Sequence, residues 1–346
     1  MALAIRTNQP ENHVIRTHNP QGDLEEMKRR RAEEYIKTLR RQCRGFLWTE
    51  HYGDMHKLSS DGNKFRVFRT TYRQGSSDKI VVKIKDARSD KQLLDFAQEA
   101  LILREVVHDH PHVVALLGVK IDKLNTLYLE MEHHPRTVWD MLRAQEHPPT
   151  PGQIQRICRD TLKALYFCHR NRVLHADVKE KNLLVAEDNR IVLADFDSSR
   201  VLPKPPATLH SYLVCPLGSR PIEVCLVHAL TFAADIWALG CMIAYMCRVP
   251  PPAFCGDTPQ KQIDFIHSFA GPIPADIFVD NSGKKLVNPS GPVRPFDEVF
   301  ARVPEEVRPF LKRLLALNPH RRPKAVVALN DPFFFFDLDD DSMLGH

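Results

Sequence analysis

Residues 171–200, NRVLHADVKEKNLLVAEDNRIVLADFDSSR, constrain the fold more than any other part of the chain. Two apolar runs, NLLVA and RIVLADF, flank the polar tip EDNR, whose residues have turn chemistry, so the stretch predicts a short hairpin. Asp177, Lys179 and Asn182 stand before the first strand and Asp195 ends the second. A hairpin with those ends gathers two carboxylates, an amide oxygen and an ammonium group at one edge. Oxygen ligands suit a hard cation such as Mg²⁺, and a lysine stabilises a phosphate chain beside it. An ordinary hairpin with polar ends is the plainer reading, but the joint spacing of these groups argues against it.

HADVKEKN, from His175 to Asn182, is similar to the catalytic loop H-R-D-L-K-x-x-N of the eukaryotic protein kinases, and DFD, from Asp195 to Asp197, is similar to their metal-binding D-F-G. The resemblance implies an α+β, bilobal fold: a small β-rich N-lobe and a large, mainly α-helical C-lobe. It implies ATP and Mg²⁺ as cofactors and a protein as substrate. On this resemblance Asp177 orients the substrate hydroxyl and accepts its proton, Lys179 steadies the transferred phosphoryl group, and Asn182 and Asp195 hold the metal ions. Lys179 together with Asn182 follows the serine/threonine form of the loop.

A chain of 346 residues with 43% hydrophobic content is long enough for two lobes around a buried core. The net charge of +5 is too small to argue for nucleic acid. Eight cysteines lack metal-ligand spacing and several lie in apolar runs, so reduced core positions are expected. MALAIRTNQP has no apolar stretch of signal length and no run reaches a membrane span. A soluble, intracellular protein, cytoplasmic or nuclear, is the expectation.

Residues 1–21 are polar and aperiodic and are expected to be disordered. Residues 22–45 form a basic amphipathic helix by pattern, with Leu24, Met27, Tyr35, Leu39 and Cys43 near one face. KRRR, Lys28 to Arg31, is interleaved with Glu25, Glu26, Glu33 and Glu34, which favours a salt-paired solvent face over a nucleic-acid patch. The apolar stripe is then expected to dock on the domain itself. The resemblance places the kinase domain at 54–338, with the N-lobe at 54–132 and the C-lobe at 135–338, followed by a solvated acidic tail at 339–346.

From about residue 46 to Lys85 the pattern is strand-like, with FRVFRTTYR and KIVVKIK separated by a turn. Alternation in IVVKIK sets Lys83 opposite Val82 and Ile84. The run resembles the family's V-A-I-K strand, which implies that Lys83 contacts the α and β phosphates and pairs with Glu99 on the following helix. The resemblance also puts Met131 at the back of the nucleotide pocket and the backbones of Glu132 and His134 on the adenine edge. It counts Val67, Val81 and Leu184 among the nucleotide-binding residues. The glycine loop is degenerate: SSDGNKFRVF keeps only Gly62, so backbone N–H groups approach the phosphates less closely, with Phe65 left to cap the loop. His108, His110 and His112 could suggest a metal, but the loop containing them resembles a structural feature of the family.

In the second half, PGQIQRICRDTLKALYFCHR is helical by spacing and leads into the catalytic loop, and TFAADIWALGCMIAYM resembles the buried helix that anchors that loop through Asp235. SRPIEV resembles the x-R-x-P-E ending of the cyclin-dependent (CMGC) branch, which pairs Glu223 with Arg322. GDTPQKQIDFIHSFAGPIP and the loop after it resemble that branch's insert. FFFF, Phe333 to Phe336, is expected to pack on the lobe. Ala176 stands for the arginine of H-R-D and Gln98 for an arginine beside the helix glutamate, leaving only Arg200 to bind a phosphorylated activation loop. Phosphorylation at Thr208 or Ser211 is therefore expected to matter little. Asp197 replaces the glycine of D-F-G and is expected to restrict flipping of the motif through its backbone. The helix at 22–45 is expected to replace an external activator, although a regulatory protein partner stays open. The alternative to a catalytic kinase is a pseudokinase acting as a nucleotide-sensing scaffold or binding module.

Overall fold

Strand alternation and helical periodicity divide the chain into two lobes in the computed structural model, which describes residues 20–61, 65–75, 77–203, 215–226, 230–249, 258–271 and 290–336. The chain opens with helix α1 (Pro20–Gln42) and the single turn α2 (Trp48–His51). Strands β1 (His56–Asp61), β2 (Phe65–Thr70) and β3 (Ile80–Asp86) follow, then helix α3 (Asp90–Leu101) running into a wider turn at Ile102–Val106. Strands β4 (Leu116–Ile121) and β5 (Thr126–Glu132) complete an antiparallel sheet in the order β1-β2-β3-β5-β4.

This sheet is covered on both faces. Along β3, Ile80, Val82 and Ile84 point outward and pack with Tyr52 and Tyr128. Lys83 and Lys85 are buried on the other side. The outer cover is residues 46–52, where a strand-like pattern was expected. Phe46 and His51 meet Tyr52, and the chain turns through α2 before β1 begins. Glu130 lies beneath this cover. It accepts hydrogen bonds from Tyr52 Oη (2.8 Å), Tyr72 Oη (3.2 Å) and His51 Nε2 (3.0 Å). Gly118 faces it, and a Cβ there would lie 2.3 Å from Glu130 Oε2, so a hydrogen is all the space allows.

On the inner face, α1 packs against α3. Ala32, Tyr35, Ile36 and Leu39 recur at i, i+3, i+4 and i+7 and bury against Leu93, Ala97, Ala100, Leu101, Leu127 and Leu129. The stripe differs in part from the one expected, since Met27 is 61% exposed and the contact is carried by Ala32 and Ile36. The charged residues around the stripe are salt-paired: Lys28–Glu25 at 2.8 Å and Arg29–Glu33 at 3.0 Å beside it and Arg30–Glu26 at 2.9 Å on the side away from it, with Arg31 reaching Glu105 of the domain. Exposed pairs of this kind are worth only about 0.3 to 0.5 kcal/mol each, so the apolar stripe does the docking.

The C-lobe begins at the short strand β6 (Arg136–Thr137) and helix α4 (Val138–Ala144). Helix α5 (Pro151–Arg170) starts from a capping box of Thr150 and Gln153, with proline in the first turn. Strand β7 (Val173–Leu174) leads to the hairpin β8 (Leu183–Val185) and β9 (Ile191–Leu193), with Leu184 opposite Val192, which is the hairpin expected from NLLVA and RIVLADF. Strand β10 (Arg200–Val201) pairs with β7. After α6 (Ile222–Cys225), helix α7 (Ala233–Met246) is buried nearly all round. Helices α8 (Pro259–Ala270), α9 (Phe296–Val299), α10 (Arg308–Leu314) and α11 (Ala325–Ala328) enclose it.

Arg322 donates to both oxygens of Glu223, at 2.5 and 2.8 Å. Phe333 and Phe334 pack on Phe310, whereas Phe335 is 74% exposed, so only half of the FFFF run joins the core. Cys43, Cys158, Cys168, Cys215, Cys225, Cys241 and Cys247 are unpaired thiols. Thr208, Ser211, Gly62 and the insert loop at 272–289 lie outside the described residues, as do 1–19 and 337–346.

Ile36→Ala and Leu39→Ala are each expected to destabilise the protein by about 2 to 5 kcal/mol, the usual cost of emptying a buried aliphatic site. Arg30→Ala, on the opposite face, is expected to leave the denaturant midpoint nearly unchanged. Equal effects from all three in urea titrations would show that α1 does not dock through this stripe.

Candidate active site

The catalytic-loop segment is hung from one buried carboxylate. Asp235, in the first turn of α7 and fully buried, accepts from His175 N (2.9 Å), Ala176 N (2.7 Å) and His169 Nε2 (2.8 Å). Burial pushes its carboxyl up, but the hydrogen bond and charge of His169 outweigh this and hold it below the ordinary carboxylate range. The grip lets Ala176 adopt a left-handed φ of 66°. His175 is itself buried edge-on to Phe196 and donates from Nε2 to Ala194 O (3.1 Å).

Asp177 follows directly. Lys179 Nζ donates to its Oδ2 at 2.8 Å, and Asn182 Nδ2 donates to the same oxygen (3.0 Å) and to Asp177 O (2.9 Å). The other oxygen, Asp177 Oδ1, is buried and accepts no hydrogen bond from the described residues. With its nitrogen committed, Asn182 has its amide oxygen left for a cation. The hairpin brings the second motif alongside, because Ala194 N donates to Asn182 O (2.9 Å), so Asp195 follows immediately.

Two contacts fix the hairpin from behind. Ile191 N donates to Asp160 Oδ2 on α5 (3.2 Å), and His112 Nδ1 bonds Ile191 O (2.9 Å). His112 therefore has a structural role. His110 stacks on Phe167 with ring centroids 4.4 Å apart.

Across the cleft, Lys83 Nζ meets Glu99 Oε1 (2.9 Å), Asp195 Oδ1 (2.6 Å) and Asp197 Oδ2 (2.8 Å). Burial lowers the ammonium pKa, and the carboxylates, Glu99 first, more than reverse this and raise it well above the ordinary lysine value. Lys85 Nζ meets Glu99 Oε2 (2.6 Å) and also Asp197.

The expectation for Asp197 is corrected here. The left-handed residue of the turn is Asp195 (φ 64°), while Asp197 sits in a 3₁₀ turn and acts through its carboxylate. Glu99, Asp195 and Asp197 converge closely enough to hold an ion, but two lysines already lie among them. Lys85 was not singled out in the sequence. Its signal was present, since it shares the period-2 face of Lys83.

Val81 pairs with Met131 across β3 and β5, and Val67 lies opposite Lys83 on β2. Leu184, on β8, is half-buried against the C-lobe core. Glu132 is exposed at the end of β5. His134 is buried with no hydrogen-bond partner for Nε2, and burial lowers its pKa. Phe65, expected to cap the phosphate loop, instead places its ring 4.5 Å from Lys83 Nζ.

The structure thus brings together an acid anchored under a loop, an acid at its tip with one oxygen free of hydrogen bonds from the described residues, and a lysine bridging helix and hairpin. Residues 61–334 match the protein kinase domain. The chain belongs to the protein kinase family. This kinase is 30% identical over 241 residues to cyclin-dependent kinase 4 of Ovis aries, covering 68% of this chain and 78% of that one. It is 29% identical over 303 residues to cell division control protein 2 homolog 3 of Trypanosoma brucei brucei, covering 82% and 92%. With serine/threonine-protein kinase 10 of Homo sapiens it shares 27% identity over 317 residues, which is 90% of this chain and 29% of the longer relative. The kinase match begins after α1 and α2. Among the described residues no helix is long and apolar enough to cross a membrane.

Asp235 yields a pH prediction. Its folded pKa lies below the unfolded value of about 3.9, so its stabilising contribution is complete above that pH and is lost as pH falls through the folded value. Asp235→Asn should therefore be clearly less stable than wild type at pH 7, with the gap narrowing as pH drops below about 4. Denaturant titrations at pH 7 and pH 3 measure the gap, and a constant difference would contradict the assignment.

Proposed function

We propose that the protein transfers the γ-phosphoryl group of ATP to serine or threonine hydroxyls of protein substrates. The observation that carries this reading is the unsatisfied Asp177 Oδ1, buried beside Lys179 and Asn182 and bonded by no donor among the described residues. It is an acceptor in want of a proton, which suits orientation of a hydroxyl and uptake of its hydrogen. Asn182 and Asp195 would hold Mg²⁺, whose charge offsets that of the phosphates when bound. Lys83 has Glu99 and Asp195 at contact distance, the pairing that a competent lobe arrangement needs. Val67, Val81, Met131 and Leu184 would line the base, with the Glu132 and His134 backbones on its edge.

The same reading includes an activation segment indifferent to phosphorylation. Ala176 packs in an apolar cluster with Leu174, Leu202, Cys215, Val224, Leu230 and Ala234, where its methyl offers a phosphate no donor. Arg200 donates from Nη1 to the carbonyls of Ser199 (2.8 Å) and Asp197 (3.4 Å). The α1 helix, packed along α3, would give the support that the name of cyclin-dependent kinase 4 attributes to a separate cyclin. An intracellular site of action, cytoplasmic or nuclear, belongs to this reading.

One observation favours the pseudokinase alternative. Three carboxylates engage the Lys83 ammonium group and the Phe65 ring lies beside it, so a nucleotide phosphate must displace something to reach it.

Transfer of label from ATP to a generic protein substrate tests the proposal. Asp177→Asn and Lys83→Met should each lower the rate by about 100-fold or more. Thermal stabilisation by Mg-ATP without transfer in wild type would assign the scaffold role instead. Phosphatase treatment of the purified protein should change the rate by less than about twofold, because Ala176 and Gln98 stand where two of the three phosphate-reading cations would be. A large drop counts against phosphorylation-independent activation.

A further inference from the structure

Lys85 is 1% exposed, more deeply buried than Lys83, and stands where the catalytic reading gives it no task. A buried ammonium group persists only with counter-charges around it. Glu99 is one of them, through Oε2 at 2.6 Å, but the same carboxylate already serves Lys83. Asp195 is paired with Lys83 and not with Lys85. The second carboxylate that faces Lys85 is Asp197, with Oδ1 on Lys85 and Oδ2 on Lys83 at 2.8 Å. The family motif has glycine at this position, which carries no side chain. The contact therefore exists only because this chain has both residues.

We propose that Lys85 and Asp197 are a second positioning pair that fastens the metal-binding turn at 195–198 to β3 and α3. The proposal rests on the kinase reading above and deepens it. Asp195 is adjacent to the fastened turn, so its carboxylate stays at Lys83 without a modified activation segment to hold it. Few other contacts hold this turn: Phe196 is buried against His175, Ser199 Oγ donates to His175 O (3.2 Å), and Arg200 bonds local carbonyls. All of these join the turn to the C-lobe. Among the described residues, Lys85 and Lys83 are the ion-pair partners that tie Asp197 across to the N-lobe. The Phe96 ring, 5.0 Å from Lys85 Nζ, closes the site on the α3 side.

The two residues should therefore behave as one unit. Losing either partner already breaks the Lys85–Asp197 contact between turn and strand, so losing both removes little more. The test uses the full chain with Lys85→Met, Asp197→Asn and the double variant. It measures kcat, the KM for ATP, and deuterium exchange of the amides at 195–199 and 90–101. Each single variant is expected to lower kcat about tenfold and the double variant to lower it no further than about threefold beyond the worse single. Turn amides should exchange faster in all three, and the KM for ATP should move less than kcat. Lys85→Arg, which keeps the charge, should retain most of the activity. Additive losses in kcat, or single variants with wild-type kcat, would overturn the pair. If a variant fails to fold, Asp197→Gly takes the place of Asp197→Asn. If wild type transfers no phosphate, the kinase reading fails, and the exchange rates alone decide the pair: unchanged turn protection in the single variants overturns it.

Discussion

The Lys83–Glu99 ion pair is the contact on which the rest of the structure depends. It joins strand, helix and, through Asp195, the C-lobe hairpin at one buried point. Such a pair gains little net stability over an apolar replacement, because both charges surrender their hydration. Its value lies in position, since it fixes strand and helix against the hairpin at one point. Removing one partner of an isolated buried pair strands a charge at a cost of about 3 to 5 kcal/mol. Here Lys85 stays beside Glu99, and Asp195 and Asp197 stay beside Lys83, so the cluster spreads that penalty over several contacts.

Much of this was legible in the chain before its fold was known, for a physical reason. The catalytic hairpin is local: its strands are separated by a short turn and its functional groups lie at the strand ends, so apolar pattern and turn chemistry suffice to place them. Lys83 and Glu99 sit on adjacent elements of opposite periodicity, strand and helix, and their meeting could be inferred from family resemblance. The salt-paired face of α1 followed from i, i+4 spacing of opposite charges.

What could not be read depends on contacts distant in sequence. Asp197 looked like a backbone substitution because the motif has glycine there, whereas its carboxylate reaches a lysine 112 residues away. Met27 looked apolar and inward by type, but the docking face is set by which turn of α1 meets α3, and small Ala32 permits that close approach. Phe335 and Phe336 differ from Phe333 and Phe334 only in direction, which composition does not encode. Residues 46–52 have strand-like side chains because they serve a sheet, but they cap its face and do not extend its edge.

That cap has a consequence for where the folding unit begins. The hydroxyls of Tyr52 and Tyr72 and the imidazole of His51 converge on Glu130 from two separate stretches of chain, and two of these groups come from upstream of residue 61, where the family match starts. A protein trimmed to the family boundary would keep every catalytic motif. It would nevertheless uncover Ile80, Val82, Ile84 and Tyr128 and leave a buried carboxylate with a single phenol for company. The strand carrying Met131 and Glu132 would then have solvent at its back, so the minimal autonomous unit of this kinase extends beyond its homologous core to include the aromatic cover ahead of it.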